Sequence, residues 1–436
     1  MRRPWRLASA IPIALLSWHV ATAEVPSSAW LMYKNPEDAG FSMSAIQRIK
    51  DYYGRSGMAS LFVVYRGRVV LALGDYQRRF QCHSIRKSLM NAVMGMAVDE
   101  GKIDLNKTLK DLGIDDVGGL TEEEKQAAVR HLLQGRSGVY HPAVYETKSM
   151  ARARPERGGH RPGSFWYYNN WDFNVLSTIL NQETGDDFLR LFKTRIAEPL
   201  GMEDYREFDG NYFLDPGISR HRAYGFKLSA RDLARFGQLY LQKGSWNGTR
   251  ILSREWIEES TRSYSDTHTA RGGYGYLWWV PKLGKSLQAF AACGVGTQVL
   301  LVLPDLEMVI VQRVDTYAGK NHPFDPSLYE MIAGARHAAG RQSPECLSLP
   351  VHQENENWTV TDSKELIGFY RAADGTYQIQ AYGDGLLMTY PQGIRSLLRP
   401  WEKNGTFLVE DIFEVIRLEQ PRSKEIGKLT VLGRTK

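Results

Sequence analysis

Cysteine and histidine are sparse in these 436 residues: three and ten respectively, with no Cys-x-x-Cys pair and no His-Glu-x-x-His run. Cys82, Cys293 and Cys346 are too few for a disulfide framework. Nor do thiols or imidazoles recur at metal-ligand spacing. The expected chemistry therefore needs no metal and no cofactor. An excess of one charge is lacking too, since 55 basic side chains face 49 acidic ones. Arg2, Arg3 and Arg6 account for three of that surplus, which leaves a formal +3 beyond residue 23. So small and dispersed an excess does not describe a nucleic-acid surface. Internal repeats and low-complexity tracts are absent as well.

The N-terminus has its own pattern. Arg2, Arg3 and Arg6 precede an apolar stretch from Leu7 to Val20, and Ala21-Thr22-Ala23 supplies small residues before Glu24. This reads as a secretory signal over residues 1–23. Pro12, Ser17 and His19 interrupt a run already short for spanning a bilayer. The expectation is an exported chain, periplasmic or extracellular, with no stable membrane span after cleavage. Apolar content of 43% and charge of 24% suit a soluble globular protein.

One stretch organises the rest: Cys82-His83-Ser84-Ile85-Arg86-Lys87, which opens an apolar-striped segment running to Gly101. Ile85, Leu89, Ala92, Val93, Met96 and Ala97 recur at helical spacing. Ser84 falls at the helix start, with Lys87 three residues on and on the same face. A serine hydroxyl becomes nucleophilic when a base takes its proton. Lys87 can be that base once burial and neighbouring cations hold it neutral. The helix start also offers amides for a developing oxyanion.

Elsewhere the pattern predicts a helix over 37–53 and a hairpin of 60–65 with 68–73 around Arg66-Gly67. Short helical pieces are expected over 105–119 and 122–133, a polar and basic loop over 141–162, and helices over 174–183, 186–196 and 229–242. Strands follow at 274–280, 289–293, 299–302 and 308–314, then a closing helix at 327–339. This order fits an α+β sandwich whose sheet is built from both ends of the chain. Residues 341–360 read as a linker. The remainder, 361–436, reads as short strands of a small antiparallel β sheet or barrel.

Two further segments bear on chemistry. In Pro162-Gly163-Ser164-Phe165-Trp166-Tyr167-Tyr168-Asn169-Asn170, Tyr-x-Asn occurs in two registers. A tyrosine there can relay a proton to the leaving group, and Asn170 can orient Lys87 or bind a carbonyl. In Cys293-Gly294-Val295-Gly296-Thr297-Gln298, two glycines leading into a strand allow close approach of a substrate to the backbone.

In order and spacing these segments resemble the serine β-lactamase and penicillin-binding-protein superfamily, closest to the class C β-lactamase-related serine hydrolases. That group includes family VIII esterases, D-alanyl-D-alanine peptidases and 6-aminohexanoate-dimer hydrolases. The resemblance covers roughly residues 30–340, making 24–340 the hydrolase domain. It implies a β-lactamase-like sandwich, an antiparallel sheet flanked by helices, plus an all-helical region. It also implies Ser84 as nucleophile, Lys87 as general base and Tyr168 with Asn170 as the second motif. Val295, Gly296 and Gln298 fall at the substrate and oxyanion edge. Where the family carries Lys-Thr-Gly or His-Gly-Gly, this chain begins with Val295, which cannot attract a carboxylate. A neutral ester or amide is the expected substrate, unless the arginines of 152–161 replace the missing cation. D-Ala-D-Ala peptidase, weak β-lactamase and non-catalytic penicillin sensor are the alternatives. A bridge between Cys82 and Cys293 stays open, each lying two residues ahead of a candidate element.

Overall fold

Arg66 and Gly67 both take positive φ, 48° and 75°, so the expected hairpin closes in two residues between strands Ser60–Tyr65 and Arg68–Gly74. In the computed structural model, which describes residue 26 and residues 29–284, 287–351, 363–383, 385–402, 405–412, 414–419 and 426–434, this hairpin seeds a ten-stranded sheet. The signal-like segment 1–23 lies outside the described residues, as does the linker beyond residue 351.

Strand Met308–Arg313 pairs antiparallel with Ser60–Tyr65, which joins the two ends of the hydrolase region. Beyond it lie Gln298–Leu303 and Phe290–Gly294, then three two-residue strands at the edge. Alternation along Met308–Arg313 places Val309 and Gln312 on opposite faces. Helix Ala230–Leu241 packs on the Val309 face, so closely that a Cβ on Gly237 would stand 2.7 Å from Leu300 and Val309. On the other face, Tyr329 of helix Pro326–Gly334 donates to Gln312 Oε1 at 3.0 Å. Helices thus flank both faces, as expected of the sandwich. The helical region is built from Arg86–Asp99, Val129–Leu133, Asn170–Thr184 and Phe188–Phe192.

Seven strands from Gly368–Ala372 to Gly427–Arg434 close into a barrel. Its interior is filled by residues such as Tyr370, Ile379, Met388, Val409 and Leu429.

Several elements differ from expectation. The helix expected over 37–53 breaks at Gly40, whose φ of 85° and contact with Ala338 O leave no room for a side chain. The α-helix begins only at Met43, capped by Ser42. Residues 105–119 form turns, organised by Asp111 and Asp115 accepting backbone N–H groups. The strand expected over 274–280 is two short strands, Gly273–Tyr274 and Trp279–Val280, folded back through Leu277 at φ 60°. The stretch read as a linker begins with strand Cys346–Ser348, which pairs with Leu31–Tyr33.

Candidate active site

The Ser84 stretch enters on a strand of only two residues. Phe80–Gln81 pairs with Ala223–Leu228, and Cys82 N donates to Phe226 O at 2.8 Å. His83 then takes φ 48° before the 3-10 turn His83–Ile85 and helix Arg86–Asp99. A non-glycine residue in the left-handed region costs about 1–2 kcal/mol, so its surroundings must hold it. The His83 ring nitrogen Nε2 lies 2.9 Å from Thr316 Oγ1. Arg313 donates to Phe80 O at 2.8 Å and Gln81 O at 3.2 Å.

Lys87 Nζ stands 2.8 Å from Ser84 Oγ. Lys87 is 1% exposed, with its nitrogen 4.7 Å from the Tyr168 ring centre and 5.0 Å from that of Phe173. Burial first, and then the Arg86 guanidinium, push this amine well below the usual lysine range. Arg86 is itself buried between the rings of Tyr145 and Tyr224, and donates to His83 O at 3.3 Å. Among the described residues neither Lys87 nor Arg86 has a carboxylate in ion-pair contact.

Tyr168 rather than Tyr167 reaches this centre. Its ring stacks on Trp279 at 5.3 Å and meets Tyr274 edge-on at 5.9 Å. Burial pushes its hydroxyl up to about 12, opposed by polar contact with Ser84 and by Arg86 and Arg271. Tyr167 instead donates to Met150 O. Asn170 Nδ2 donates to Tyr145 O at 2.8 Å, while its buried Oδ1 has no partner among the described residues. Asn169, in the other register, caps helix Asn170–Thr184.

The third segment is brought onto the nucleophile loop. A Cβ on Gly294 would lie 2.6 Å from Cys82 O and 3.1 Å from His83 Cβ. Gly296 at φ 78° packs on Thr316, the partner of His83. Val295 is 54% exposed. The Gln298 side chain is spent on structure, donating to Val314 O at 2.7 Å and accepting from Val314 N at 3.3 Å. Cys82 and Cys293 are both buried free thiols, so the open bridge is not formed.

Three of the four loop arginines are engaged by carboxylates. Arg154 pairs with Glu146, Arg157 with Glu124 at 2.7 Å and Arg161 with Glu123 at 3.3 Å. Sequence reading overlooked Arg271, whose guanidinium lies 5.1 Å over the Trp279 ring that stacks on Tyr168. It overlooked His83, Arg86 and Arg313 as well. The arginine between Ser84 and Lys87 was a visible signal, but no motif marks the others. Among the described residues, no cluster of histidine, cysteine and carboxylate side chains could hold a metal, and no helix is long and apolar enough to cross a membrane.

Residues 44–318 match the Beta-lactamase family model. The 6-aminohexanoate-dimer hydrolase of Paenarthrobacter ureafaciens is 24% identical over 287 residues, 58% of this chain and 71% of that protein. Among solved structures, the octameric penicillin-binding protein homologue from Pyrococcus abyssi superposes with a TM-score of 0.50 at 17% identity, covering 90% of this chain and 96% of its own. SurE with D-Leu gives 0.51 at 18% identity, covering 90% and 97%. At these identities the two structures speak for the fold alone.

Proposed function

The chain belongs to the beta-lactamase family, and from that premise we propose that it is an exported serine hydrolase that cleaves an ester or amide through an acyl-enzyme on Ser84. The observation that carries this reading is the 2.8 Å approach of Lys87 Nζ to Ser84 Oγ, at a lysine whose pKa burial and Arg86 push well below the usual range. A neutral amine can accept the hydroxyl proton as Ser84 attacks the substrate carbonyl. The oxyanion would form beside the Ser84 amide at the helix start, facing the turn that carries Val295 and Gly296. Tyr168, protonated throughout the neutral range, is the group to hand a proton to the leaving oxygen or nitrogen. Water then attacks the acyl-serine along the same proton route. Residues 1–23, with their basic start, apolar middle and Ala-x-Ala end, would direct export.

Exposed Val295 favours a substrate without a carboxylate beside the scissile bond. One observation favours a second reading, peptidase or β-lactamase action: Arg271 over Trp279 is a cation at the rim of the same centre.

Intact-mass measurement after exposure to a fluorophosphonate and, separately, to a penicillin decides between them. Hydrolysis of p-nitrophenyl butyrate by wild type and by Ser84→Ala would run in parallel. Fluorophosphonate addition at Ser84, loss of esterase activity in Ser84→Ala and no penicillin adduct are the expected results. A stable penicillin adduct would favour the second reading. No labelling at all would remove the enzyme assignment.

A further inference from the structure

The strand that delivers Ser84 is too short to hold itself. Two residue pairs, Phe80 with Leu228 and Gln81 with Lys227, join it to its neighbour, yet it must support His83 in the left-handed region two residues on. Arg79, just before the first pair, and Lys227, a member of the second, are both cations and both almost wholly buried. Buried charges persist only when compensated. Asp209, on the hydrolase side, accepts from Arg79 at 3.1 Å and lies 3.5 Å from Lys227. The other buried carboxylate comes from the barrel. Asp411, 1% exposed, takes Arg79 Nη2 at 3.0 Å on one oxygen and Lys227 Nζ on the other.

The same loop of the barrel reaches the far side of the site. Arg78 donates to the Asp411 backbone carbonyl at 2.8 Å and pairs with Asp315 at 3.2 Å. Asp315 adjoins Thr316, which faces the His83 ring. Lys227 also meets the Arg395 carbonyl and, at 3.5 Å, Ser396 Oγ of the barrel. These contacts converge on the residues just before and just opposite the nucleophile strand.

We infer that Asp411 of the C-terminal barrel is a positioning residue for Ser84, and that the barrel is a working part of the active site rather than a separable module. The inference rests on Ser84 being the nucleophile. Without the Asp411 charge, two buried cations share one fully buried carboxylate, with Glu410 reaching only Arg79. Arg79 and Lys227 must then shift toward water or toward Asp209. Either movement carries Phe80–Gln81 with it and relaxes His83, taking Ser84 out of line with Lys87.

The test uses the full chain, with Asp411→Asn and the charge-balanced double variant Asp411→Leu/Lys227→Met. Each is assayed well below its unfolding temperature, with near-UV circular dichroism to establish the native fold. For Asp411→Asn, kcat on p-nitrophenyl butyrate and the rate of fluorophosphonate inactivation should fall at least tenfold together, with KM within twofold. The double variant, which strands no charge, should recover to within about two- to fivefold of wild type. Wild-type kcat and inactivation rate in Asp411→Asn, even with a lowered melting temperature, would overturn the inference. So would a double variant that folds yet stays tenfold or more below wild type, an outcome that keeps the test decisive if Asp411→Asn does not fold. Ser84→Ala run alongside separates the two failures. If wild type is not labelled at Ser84, the hydrolase reading fails; if wild type and Asp411→Asn are labelled equally fast, only the positioning role does.

Discussion

His83 Nε2 and Thr316 Oγ1 lie 2.9 Å apart, joining the left-handed residue before Ser84 to the loop against which Gly296 packs. Burial, and then Arg313, Arg86 and Lys87, lower the His83 pKa to about 4, so the ring is neutral at physiological pH. Thr316→Val removes the partner of a buried ring nitrogen, which costs about 1–3 kcal/mol. The variant should melt a few degrees lower and lose roughly threefold to tenfold in kcat, measured by thermal unfolding and ester hydrolysis. Unchanged kcat would mean the contact does not hold the nucleophile loop.

Catalysis should fade on the acid side only. The base must be neutral, so kcat/KM rises with pH through a Lys87 pKa that burial and Arg86 hold well below the usual lysine range. Tyr168 is held up to about 12, so its loss of a proton adds no alkaline limb in the ordinary working range. The groups facing Lys87 are Ser84, Arg86 and the rings of Tyr168 and Phe173. Removing the only cation among them lets the lysine hold its proton more tightly. In Arg86→Met the acid limb should therefore move to higher pH, as read from kcat/KM profiles. A limb that stays put would show that burial alone keeps Lys87 neutral.

The chain made this centre legible because its chemistry is local. Ser84 and Lys87 sit one helical turn apart, and the apolar stripe to Gly101 requires that turn to be helical whatever packs on it. The hairpin at Arg66-Gly67 and the cap at Ser229 are likewise settled within a few residues. The helix expected over 37–53 failed for a non-local reason, the carbonyl of Ala338 pressing on Gly40. Motif position places Asn170 and Gln298, but spacing alone does not reveal that Asn170 Nδ2 meets the Tyr145 carbonyl or that the Gln298 side chain meets Val314. Nothing near residue 411 in sequence foretells that Asp411 would meet Arg79, more than three hundred residues earlier.

Helix Ala230–Leu241 owes its seat on the sheet to Gly237, where a methyl group would stand 2.7 Å from both Leu300 and Val309. Neither neighbour can yield cheaply inside a close-packed layer. Gly237→Ala gains helix propensity of about 1 kcal/mol, but overpacking of about 1–3 kcal/mol outweighs it. Chemical denaturation should show a lower midpoint with an unchanged slope. An increase in stability would mean that the helix can lift away from the sheet without loss.

Val295 offers the sharpest test of what the site accepts. It is 54% exposed in the turn after strand Phe290–Gly294, whose end Gly294 presses against Cys82 and His83. A lysine there need not be buried, so Val295→Lys should leave the melting temperature within a degree or two. It would add a cation to the turn that follows strand Phe290–Gly294. A carboxylate next to the scissile bond would then gain charge-assisted hydrogen bonds of about 1.5–3 kcal/mol, roughly tenfold to a hundredfold in acylation rate. Nitrocefin turnover or penicillin acylation should rise by that factor in Val295→Lys, while p-nitrophenyl butyrate, which has no carboxylate, should not gain. If both substrates gain alike, the added charge is stabilising the oxyanion rather than selecting the substrate. If neither does, Val295 is not what bars carboxylates, and the restriction must be sought in the aromatic wall of Tyr168, Tyr274 and Trp279.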